Sequence, residues 1–521
     1  MKRCLKWIGG SLLGVLVLLG AGGVWITRPQ AFPAAPSPRV APVVSAPWWE
    51  APPVVTEEEL AVFRYVESVT SGLPPEQVRQ VWNMGGDQRG VFSIRYQAAF
   101  AGYAAAALGM RRPAWPEASG AVLRACIERL LDRQSWSYIS AYWRNEPTFP
   151  DPVAHENIMY SGHLLQLLAL YEALTGDAVY RVRGFDFVWE DGRRFHYTTL
   201  TLAEAIAIQM RADPSGGVAC EPGLIFFPCN NHAQIGLRLL EGLGVGNWRR
   251  ERERWERFVL RGYHSTLGDG AVRLMYWRPG RRFVPVALSG GDGWALLWYA
   301  PWADDPSVVQ GIWQETAARL PWERFRGRDN ELAVKGCCRV KSPYPPVSEL
   351  SFLFPAALAC ADRPTAQRLR GALESLGLTR DARGTYLSAP AWLRIAVTAN
   401  YLTGLALEHG SDLRALVQRP LPRDYFEGPL LKRVVPATTP VFETRREGSA
   451  LIVGLQSQGA VTLTLCHVPA IARVEGVGPG DWSYDGERLQ VRVQGRTQLR
   501  IQPVSGVRTV ATPDARRAGE G

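Results

Sequence analysis

The stretch HENIMYSGHLLQLLALYEALTGD, residues 155–177, predicts a long apolar helix that carries polar side chains. Its leucines and isoleucine recur at steps of three and four residues, and Gly176 ends the pattern. Glu156, Met159 and His163 follow the same steps, which places them along one side of the helix. His163 is a group that can exchange protons near neutral pH. A lone histidine on an apolar helix is nevertheless more often a hydrogen-bonded core residue than a catalyst.

The segments on either side of this helix indicate a mainly α-helical protein. The chain has 521 residues, which is more than one ordinary core, and about a dozen helical segments follow one another in pairs over residues 56–421. They lack the repeat of 20 to 50 residues expected of a solenoid. We therefore predict an (α/α)6 barrel with a central cavity as the default ligand site.

The sequence after the barrel region changes character. Residues 422–505 alternate apolar and polar positions between glycine-containing turns, which predicts a small β-sandwich. Residues 506–521 are predicted to be a disordered tail.

The N-terminal segment predicts a membrane anchor. Lys2, Arg3 and Lys6 precede an uncharged run from Trp7 to Thr27, which is long enough to cross a bilayer. The positive flank should stay in the cytoplasm, so the bulk of the chain should be extracytoplasmic. The run exceeds the apolar core of a cleaved signal peptide, which favours an uncleaved anchor at residues 1–28. Residues 29–55 are rich in Pro and Ala and predict an extended linker.

The net charge of +10 does not indicate a nucleic-acid-binding protein. The stretch RRERERWER, residues 249–257, alternates charge signs as a solvated helix face does, and no nucleic-acid motif accompanies it. Nineteen tryptophans are a large number for a chain of this length, and they would suit a pocket for carbon-rich ligands as well as core packing.

A second stretch, GVACEPGLIFFPCNNHAQIGLRLLEGL at residues 217–243, could carry chemistry. Its prolines and glycine prevent one continuous helix, so Cys229 opens a helix after a loop that holds Cys220. The helix dipole should lower the pKa of Cys229, and apolar neighbours should raise that of Cys220, which would make an acid and a base. A structural disulfide, inert buried thiols, or a zinc site with His163 and His232 remain alternatives, although the spacing is unusual for zinc.

The words ENIMYSGHL and GVACEPGLIFFPCN together resemble the linalool dehydratase/isomerase family of bacterial terpene enzymes, and IRYQAAFAGYAAAAL around Tyr96 is similar to a third segment of it. The resemblance implies an exported (α/α)6 protein that forms homo-oligomers and needs no cofactor. It also implies a small apolar alcohol or alkene as substrate, through dehydration of linalool, hydration of myrcene, or isomerisation of linalool and geraniol. By this resemblance His163, Cys220 and Cys229 handle protons and Tyr96, Met159 and Glu221 line the pocket, and we add Asn157 and Asp292 as further binding candidates.

The chain also departs from the family pattern. The family supplies an Asp and a Tyr upstream of the Tyr96 segment, across a subunit interface, and only Asp87 offers a substitute here. A pocket Tyr of the family is replaced by Gly290, beside Asp292.

Two rival classes therefore stay open. Barrels followed by β-sandwiches also host carbohydrate-active enzymes that use paired carboxylates, for which the candidates are Glu156, Glu221, Asp292 and Glu349. The other class is a non-catalytic exported binding protein, favoured if Cys220 and Cys229 form a disulfide and His163 is sealed from solvent.

Overall fold

The structure is a computed structural model that describes residues 27–33, 47–82, 88, 93–326, 331–334, 338–341, 345–468 and 471–503. Most of these residues up to 421 are helical, and strands dominate the remainder. The predicted anchor up to residue 26, the tail 506–521 and Asp87 lie outside the described residues. Among the described helices, none combines the length and the apolar character needed to cross a membrane.

Within the described residues, six long helices form a closed inner ring, because each contacts the next and the last contacts the first. In chain order they are α3 (Ile94–Gly109), α7 (Ile158–Thr175), α10 (Phe227–Gly242), α12 (Ser289–Tyr299), α15 (Pro346–Ala359) and α17 (Ala391–Glu408).

A second layer of helices packs outside this ring, and each of its members contacts an inner helix or an outer neighbour. They are α1 (Glu57–Val69), α4 (Pro116–Leu131), α9 (Thr199–Ala212), α11 (Arg249–Gly262), α13 (Pro306–Arg319) and α16 (Arg363–Ser375). The shorter helices are α2 (Val78–Val81), α5 (Arg133–Trp136), α6 (Ile139–Tyr142), α8 (Val179–Val182), α14 (Trp322–Arg326) and α18 (Leu413–Gln418). The double layer is the arrangement that the sequence predicted for an α/α barrel.

The helix α7 is buried on all sides, as expected of an inner helix with apolar residues around most of its surface. It ends where predicted, at Gly176, which adopts a left-handed φ of 70°. Its start differs from the prediction, because Glu156 and Asn157 have positive φ values of 49° and 70° and stand before the helix. The placement of Glu156 on the same helix side as His163 is therefore wrong.

Short strands in the connections of the helical region form small sheets. They are β1 (Phe185–Val188), β2 (Arg194–Tyr197), β3 (Leu224–Phe226), β4 (Leu267–Gly268), β5 (Met275–Trp277), β6 (Arg282–Phe283), β7 (Val286–Ala287), β8 (Glu331–Val334), β9 (Cys338–Lys341), β10 (Leu378–Asp381) and β11 (Gly384–Leu387). In the sheet that adjoins the site, β5 lies between β3 and β6.

The C-terminal region consists of two four-stranded antiparallel sheets, in the orders β12-β15-β18-β17 and β13-β14-β19-β16. Their strands are β12 (Leu430–Val435), β13 (Val441–Glu447), β14 (Ala450–Gln456), β15 (Val461–Cys466), β16 (Ile471–Glu475), β17 (Trp482–Tyr484), β18 (Leu489–Val493) and β19 (Arg496–Pro503). Alternate side chains from both sheets meet in one apolar cluster, as in a β-sandwich.

The two sheets lie at the end of α3 opposite to Tyr96. The loop after α3 joins them, since Ala114 N donates to Thr444 O at 3.3 Å and Leu431 N donates to Ala114 O at 2.8 Å. A helix of sixteen residues spans about 24 Å, so the sheets are remote from the N-terminal ends of α3 and α7.

The segment predicted as an extended linker, residues 29–55, contacts the folded body where the structure describes it. Phe32 N donates to Leu260 O at 3.0 Å, and Val55 N donates to Phe442 O at 2.9 Å. Trp49 joins the core of the two sheets. Residues 29–33 and 47–55 of the predicted linker therefore lie against the folded body, and their aromatic residues and backbone groups find partners there.

Candidate active site

The close approach of α7 and α10 brings the predicted site residues together. A Cβ atom on Gly162 would lie 3.1 Å from Cys229 O, and one on Gly236 would lie 2.6 Å from Leu165 Cγ. Glycine at these two positions lets the helix backbones pack nearly in contact. His163 on α7 and Cys229 and His232 on α10 consequently lie close to this helix contact.

Substituting Gly162→Ala should destabilise the protein by about 1 to 3 kcal/mol, because the added methyl group meets backbone atoms that cannot move aside. Gly371→Ala on α16 is the matched control, since a Cβ there meets nothing within 4 Å. Thermal unfolding of both variants measures the difference. Equal unfolding temperatures would show that α7 and α10 are not closely packed at Gly162.

The side chain of Asn230 fixes the loop that carries Cys220. Its Oδ1 accepts from Val218 N at 2.8 Å, and its Nδ2 donates to Val218 O at 3.0 Å and to Phe226 O at 2.8 Å. Asn230 belongs to α10, one residue after Cys229, so these bonds tie the Cys220 loop to the helix of the second thiol.

Asn230→Ala should lower the free energy of unfolding by about 2 to 4 kcal/mol, because two buried backbone groups of Val218 and the partly buried Phe226 O lose their partner. The exposed Asn247→Ala serves as the control. Thermal unfolding reports stability, and titration with a thiol reagent reports whether Cys220 becomes accessible. A variant as stable as the control would contradict the anchoring role.

Cys220 and Cys229 are free thiols at hydrogen-bonding distance from one another, and both are buried. The alternative of a structural disulfide is therefore not realised in this structure. Burial, followed by the hydrogen bond and the charge of Cys229, raises the pKa of Cys220 well above its usual range. This agrees with the direction predicted for Cys220, which is a protonated thiol at neutral pH.

His163 is fully buried and presents one unpartnered nitrogen to the site. Its Nδ1 lies 2.9 Å from Tyr103 Oη, while its Nε2 is buried without a hydrogen-bond partner. Burial lowers the pKa of His163 well below its usual range, and the charge of Arg95 lowers it further. His163 is therefore neutral, with Tyr103 holding the orientation of its ring.

His232 stacks against His163, with ring centroids 3.8 Å apart, but both of its nitrogens are used. Its Nδ1 lies 2.7 Å from Gln166 Oε1, and Trp294 Nε1 donates to its Nε2 at 3.1 Å. These bonds fix a neutral ring that donates from Nδ1. His232 is thus a supporting residue and is not free to bind zinc, and no group of three potential metal ligands occurs among the described residues.

A buried cation, Arg95, stands beside Tyr96 and Met159. The Arg95 guanidinium lies 4.6 Å from the Tyr96 ring centroid and 4.3 Å from that of Tyr138, and its Nη2 donates to Met159 Sδ at 3.5 Å. Arg95 forms no ion pair within the described residues, and its Nε is buried without a partner. Sequence reasoning missed this residue, although it directly precedes Tyr96.

The carboxyl group of Glu221 interacts electrostatically with Arg95. Its Oε2 is buried without a hydrogen-bond partner. Burial raises the pKa of Glu221 to about 7, against the opposing charge of Arg95. Burial also raises the pKa of Tyr96 well above its usual range, with Cys229, Cys220 and Glu221 adding to the shift. The group formed by Tyr96, Met159, Cys220, Glu221 and Cys229 is thus one electrostatic neighbourhood.

Aromatic rings enclose this neighbourhood. Tyr96 packs edge-on against His163 and against Trp294, at centroid distances of 5.2 and 5.5 Å. Phe100 lies 5.9 Å from His163, and Phe352 stacks on Trp294 at 5.5 Å. Tyr96, Phe100 and Tyr103 follow steps of four and three on α3, which is the sequence signal that could have identified Tyr103.

The side chains of two predicted binding residues are engaged in hydrogen bonds within the protein. Asn157 donates to Pro152 O at 2.8 Å and accepts from Tyr138 Oη at 2.5 Å, so it positions the tyrosine beneath Arg95. Asp292 accepts from Ala271 N at 2.5 Å and from Thr316 Oγ1 at 2.6 Å. No described contact joins Asp292 to His163 or to the thiols.

Most of the carboxylates proposed for a carbohydrate-active enzyme are engaged in ion pairs or hydrogen bonds with other residues. Glu156 pairs with Arg278, and Glu349 pairs with Arg324. Asp292 is held by backbone and hydroxyl donors. Of the four candidates, Glu221 alone has a buried carboxyl oxygen without a partner in the described part of the chain.

Comparison with known proteins decides the family. A family model described as linalool dehydratase/isomerase matches residues 95–363, which is more than half of the chain. The chain belongs to the linalool dehydratase/isomerase family. The match contains Arg95, Tyr96, His163 and both site cysteines, and it ends before the two C-terminal sheets.

A solved structure resembles the chain distantly. It is an unsaturated glucuronyl hydrolase from Bacillus sp. GL1, described as responsible for the degradation of glycosaminoglycan. The identity is 14%, the TM-score is 0.41, and the match covers 68% of this chain and 96% of that one.

Proposed function

We propose that this family member is a membrane-anchored, extracytoplasmic hydro-lyase and isomerase with an (α/α)6 barrel, acting on an allylic, terpenoid-like alcohol without a cofactor. The observation that carries the proposal is the set of groups around Tyr96: His163, which packs against Tyr96 and has an unpartnered Nε2, and two free thiols and the Glu221 carboxyl group, which act on Tyr96 electrostatically. Removing water from an allylic alcohol requires a proton donor at the hydroxyl group and a base at a carbon-bound hydrogen. The site holds both kinds of group.

Glu221 is the proton donor in this mechanism. Its pKa of about 7 leaves a large fraction protonated at neutral pH. The proton passes to the substrate hydroxyl oxygen as the carbon–oxygen bond breaks, and water leaves with both bonding electrons. The protonated thiol of Cys220, the residue next to Glu221, holds the hydroxyl group and the departing water by a weak hydrogen bond.

His163 is the base. Its Nε2 takes a proton from the carbon next to the developing allylic cation, and the electrons of that carbon–hydrogen bond form the new double bond. A proton beside a carbocation is strongly acidic, so a histidine of lowered pKa is basic enough. Return of the proton from His163 to Glu221 restores the enzyme, and the net change is alcohol to alkene plus water.

The charge of Arg95 affects the pKa of both the acid, Glu221, and the base, His163. Its charge lowers the pKa of His163, which keeps that ring neutral. The same charge opposes the burial of Glu221 and favours the carboxylate that forms when Glu221 releases its proton. Arg95 thus favours the resting state of the base, a neutral ring, and the carboxylate left by the acid, while it makes His163 a weaker base that needs a strongly acidic proton.

The aromatic wall suits an intermediate with cationic character. The ring faces of Tyr96, Phe100 and Trp294 attract positive charge, and their burial excludes water that would trap it. A small apolar alcohol or alkene is accordingly the substrate class. The family resemblance also suggests a homo-oligomer in which a neighbouring subunit completes the site.

The alternatives receive less support. Hydrolysis by paired carboxylates lacks a second unpartnered carboxyl group near Glu221 among the described residues. A non-catalytic binding protein would fit the sealed position of His163, but the free thiols do not fit the disulfide expected with it.

The test uses the purified full-length chain in detergent with a panel of allylic alcohols that includes linalool and geraniol. Gas chromatography follows alkene and isomer formation. Cys220→Ala should reduce the rate by roughly tenfold, because the hydroxyl group loses its weak hydrogen bond to the thiol. Absence of product from every alcohol by the wild-type protein would overturn the proposal.

The control is Cys126→Ala, which removes a buried free thiol on α4, outside the site. It should retain nearly full activity. Equal losses in the Cys220 and Cys126 variants would indicate a folding defect and would contradict a role of the thiol in the reaction.

A further inference from the structure

The tip of the β5–β6 hairpin combines an exposed aromatic residue with several arginines. Trp277 is 48% exposed, although large apolar side chains are usually buried, and it is followed by Arg278, Arg281 and Arg282. Arg281 is exposed, whereas Arg278 pairs with Glu156 and Asp213. Trp and Arg side chains together favour the boundary between lipid headgroups and acyl chains. The tip therefore has the composition of an interfacial anchor.

This tip lies next to the point where the long uncharged run of the sequence ends. That run extends from Trp7 to Thr27, and Thr27 is hydrogen-bonded to the hairpin. Phe283 N donates to Thr27 O at 3.0 Å, and Arg282 Nη1 donates to Thr27 Oγ1 at 3.1 Å. Arg273 Nη1, on the preceding loop, donates to Arg28 O at 2.7 Å. A membrane helix that ended at Thr27 would thus place the hairpin at the bilayer surface.

The same hairpin adjoins the candidate active site. Trp277 pairs with Leu224 of β3, and Arg278 N donates to Gly223 O at 2.8 Å. Leu224 O in turn accepts from Cys220 N at 2.8 Å. Only the turn through Glu221 separates the hairpin tip from the two thiols.

We propose that the β5–β6 hairpin inserts its tip into the membrane–water interface and that the barrel end holding the active site faces the bilayer. The partner is a lipid surface, matched by the exposed Trp277 ring and the exposed Arg281 guanidinium at the tip. As a consequence that rests on the proposed function, the substrate is a lipophilic alcohol or alkene that enters from the bilayer.

The contact is tested on the full-length chain, labelled with 5-fluorotryptophan, in nanodiscs of phosphatidylcholine and phosphatidylglycerol. The fluorine resonance of Trp277 is identified by its loss in Trp277→Phe. Lipids with a spin label near the headgroup should broaden this resonance strongly. The resonance of Trp482 in the two-sheet region, assigned through Trp482→Phe, should remain sharp because that region lies at the opposite end of the barrel.

Two outcomes overturn the contact. One is a Trp277 resonance that the spin-labelled lipid leaves unchanged, including the case in which a second copy of the chain covers the tip. The other is a chain that does not associate with the nanodisc at all. Both are read without any catalytic activity, so they are independent of the proposed reaction.

The delivery of substrate is tested by activity in the same nanodiscs. Trp277→Ala should lower kcat/KM roughly tenfold for a long-chain, bilayer-partitioned allylic alcohol and leave that for a short, water-soluble one unchanged. Arg281→Asn is a second, milder variant, since asparagine tolerates the φ of 50° at this position. Equal effects on both alcohols would overturn delivery from the bilayer. If the wild-type protein is inactive on both alcohols, the proposed function is refuted. The contact of Trp277 with lipid, measured by spectroscopy, is unaffected by that result.

Discussion

Replacing His163 with glutamine should lower kcat for dehydration by roughly 10²- to 10⁴-fold, because the substitution removes the base of the reaction. The Nε2 atom of His163 is buried and unpartnered, whereas Nδ1 is held by Tyr103 at 2.9 Å. Glutamine is of similar size and keeps a polar end, so the packing with His232 should change little. Steady-state kinetics by gas chromatography measures the loss, with thermal unfolding as the check on folding.

The matched control is His196→Gln, which changes an exposed histidine of β2 that is paired with Asp186. This variant should keep nearly full activity. If His163→Gln retained more than about a tenth of the wild-type kcat while folding normally, His163 would not be the base. A loss confined to KM would likewise contradict the assignment, since it would indicate substrate positioning alone.

The sequence predicted the helical frame and the main polar residues because both depend on local patterns. The spacing of leucines before Gly176 predicts α7, and alternation after residue 421 predicts the C-terminal strands. The association of His163 with Cys220 and Cys229 came from the family resemblance, and the structure adds its physical cause. Gly162 allows the helix approach, and Asn230 holds the Cys220 loop.

Other features depend on contacts that spacing does not encode. Glu156 leaves the predicted helix because its backbone is left-handed and its carboxylate pairs with Arg278, which is distant in sequence. Asp292 was a candidate because it lies beside Gly290, where the family has a pocket Tyr, yet Ala271, Val272 and Thr316 occupy its oxygens.

The docking of the proline-rich segment could not be predicted from the sequence for a similar reason. Its composition alone indicates an extended chain, whereas the pairing of Phe32 with Leu260 depends on the surface it meets. Composition predicts the local conformation of an isolated segment. It does not predict the contacts that the segment makes with the rest of the fold.

The pH dependence of the reaction should follow Glu221. A proton donor is active while protonated, so kcat/KM for dehydration should be constant below its pKa and fall as the pH rises through about 7. His163 does not limit activity in this range, because its lowered pKa keeps it neutral. Glu221→Gln should reduce kcat/KM by roughly 10²-fold or more and remove the alkaline decline, since glutamine neither donates that proton nor titrates.

The comparison variant is Glu349→Gln, because burial also raises the pKa of Glu349 to about 7. Glu349 pairs with Arg324, and no described contact joins it to the thiols or to His163. Its substitution should lower stability but preserve the shape of the pH profile. An alkaline decline that persists in Glu221→Gln and disappears in Glu349→Gln would reverse the assignment. It would place the proton donor at the Arg324 end of α15, where Gly290 also lies against the Glu349 side chain.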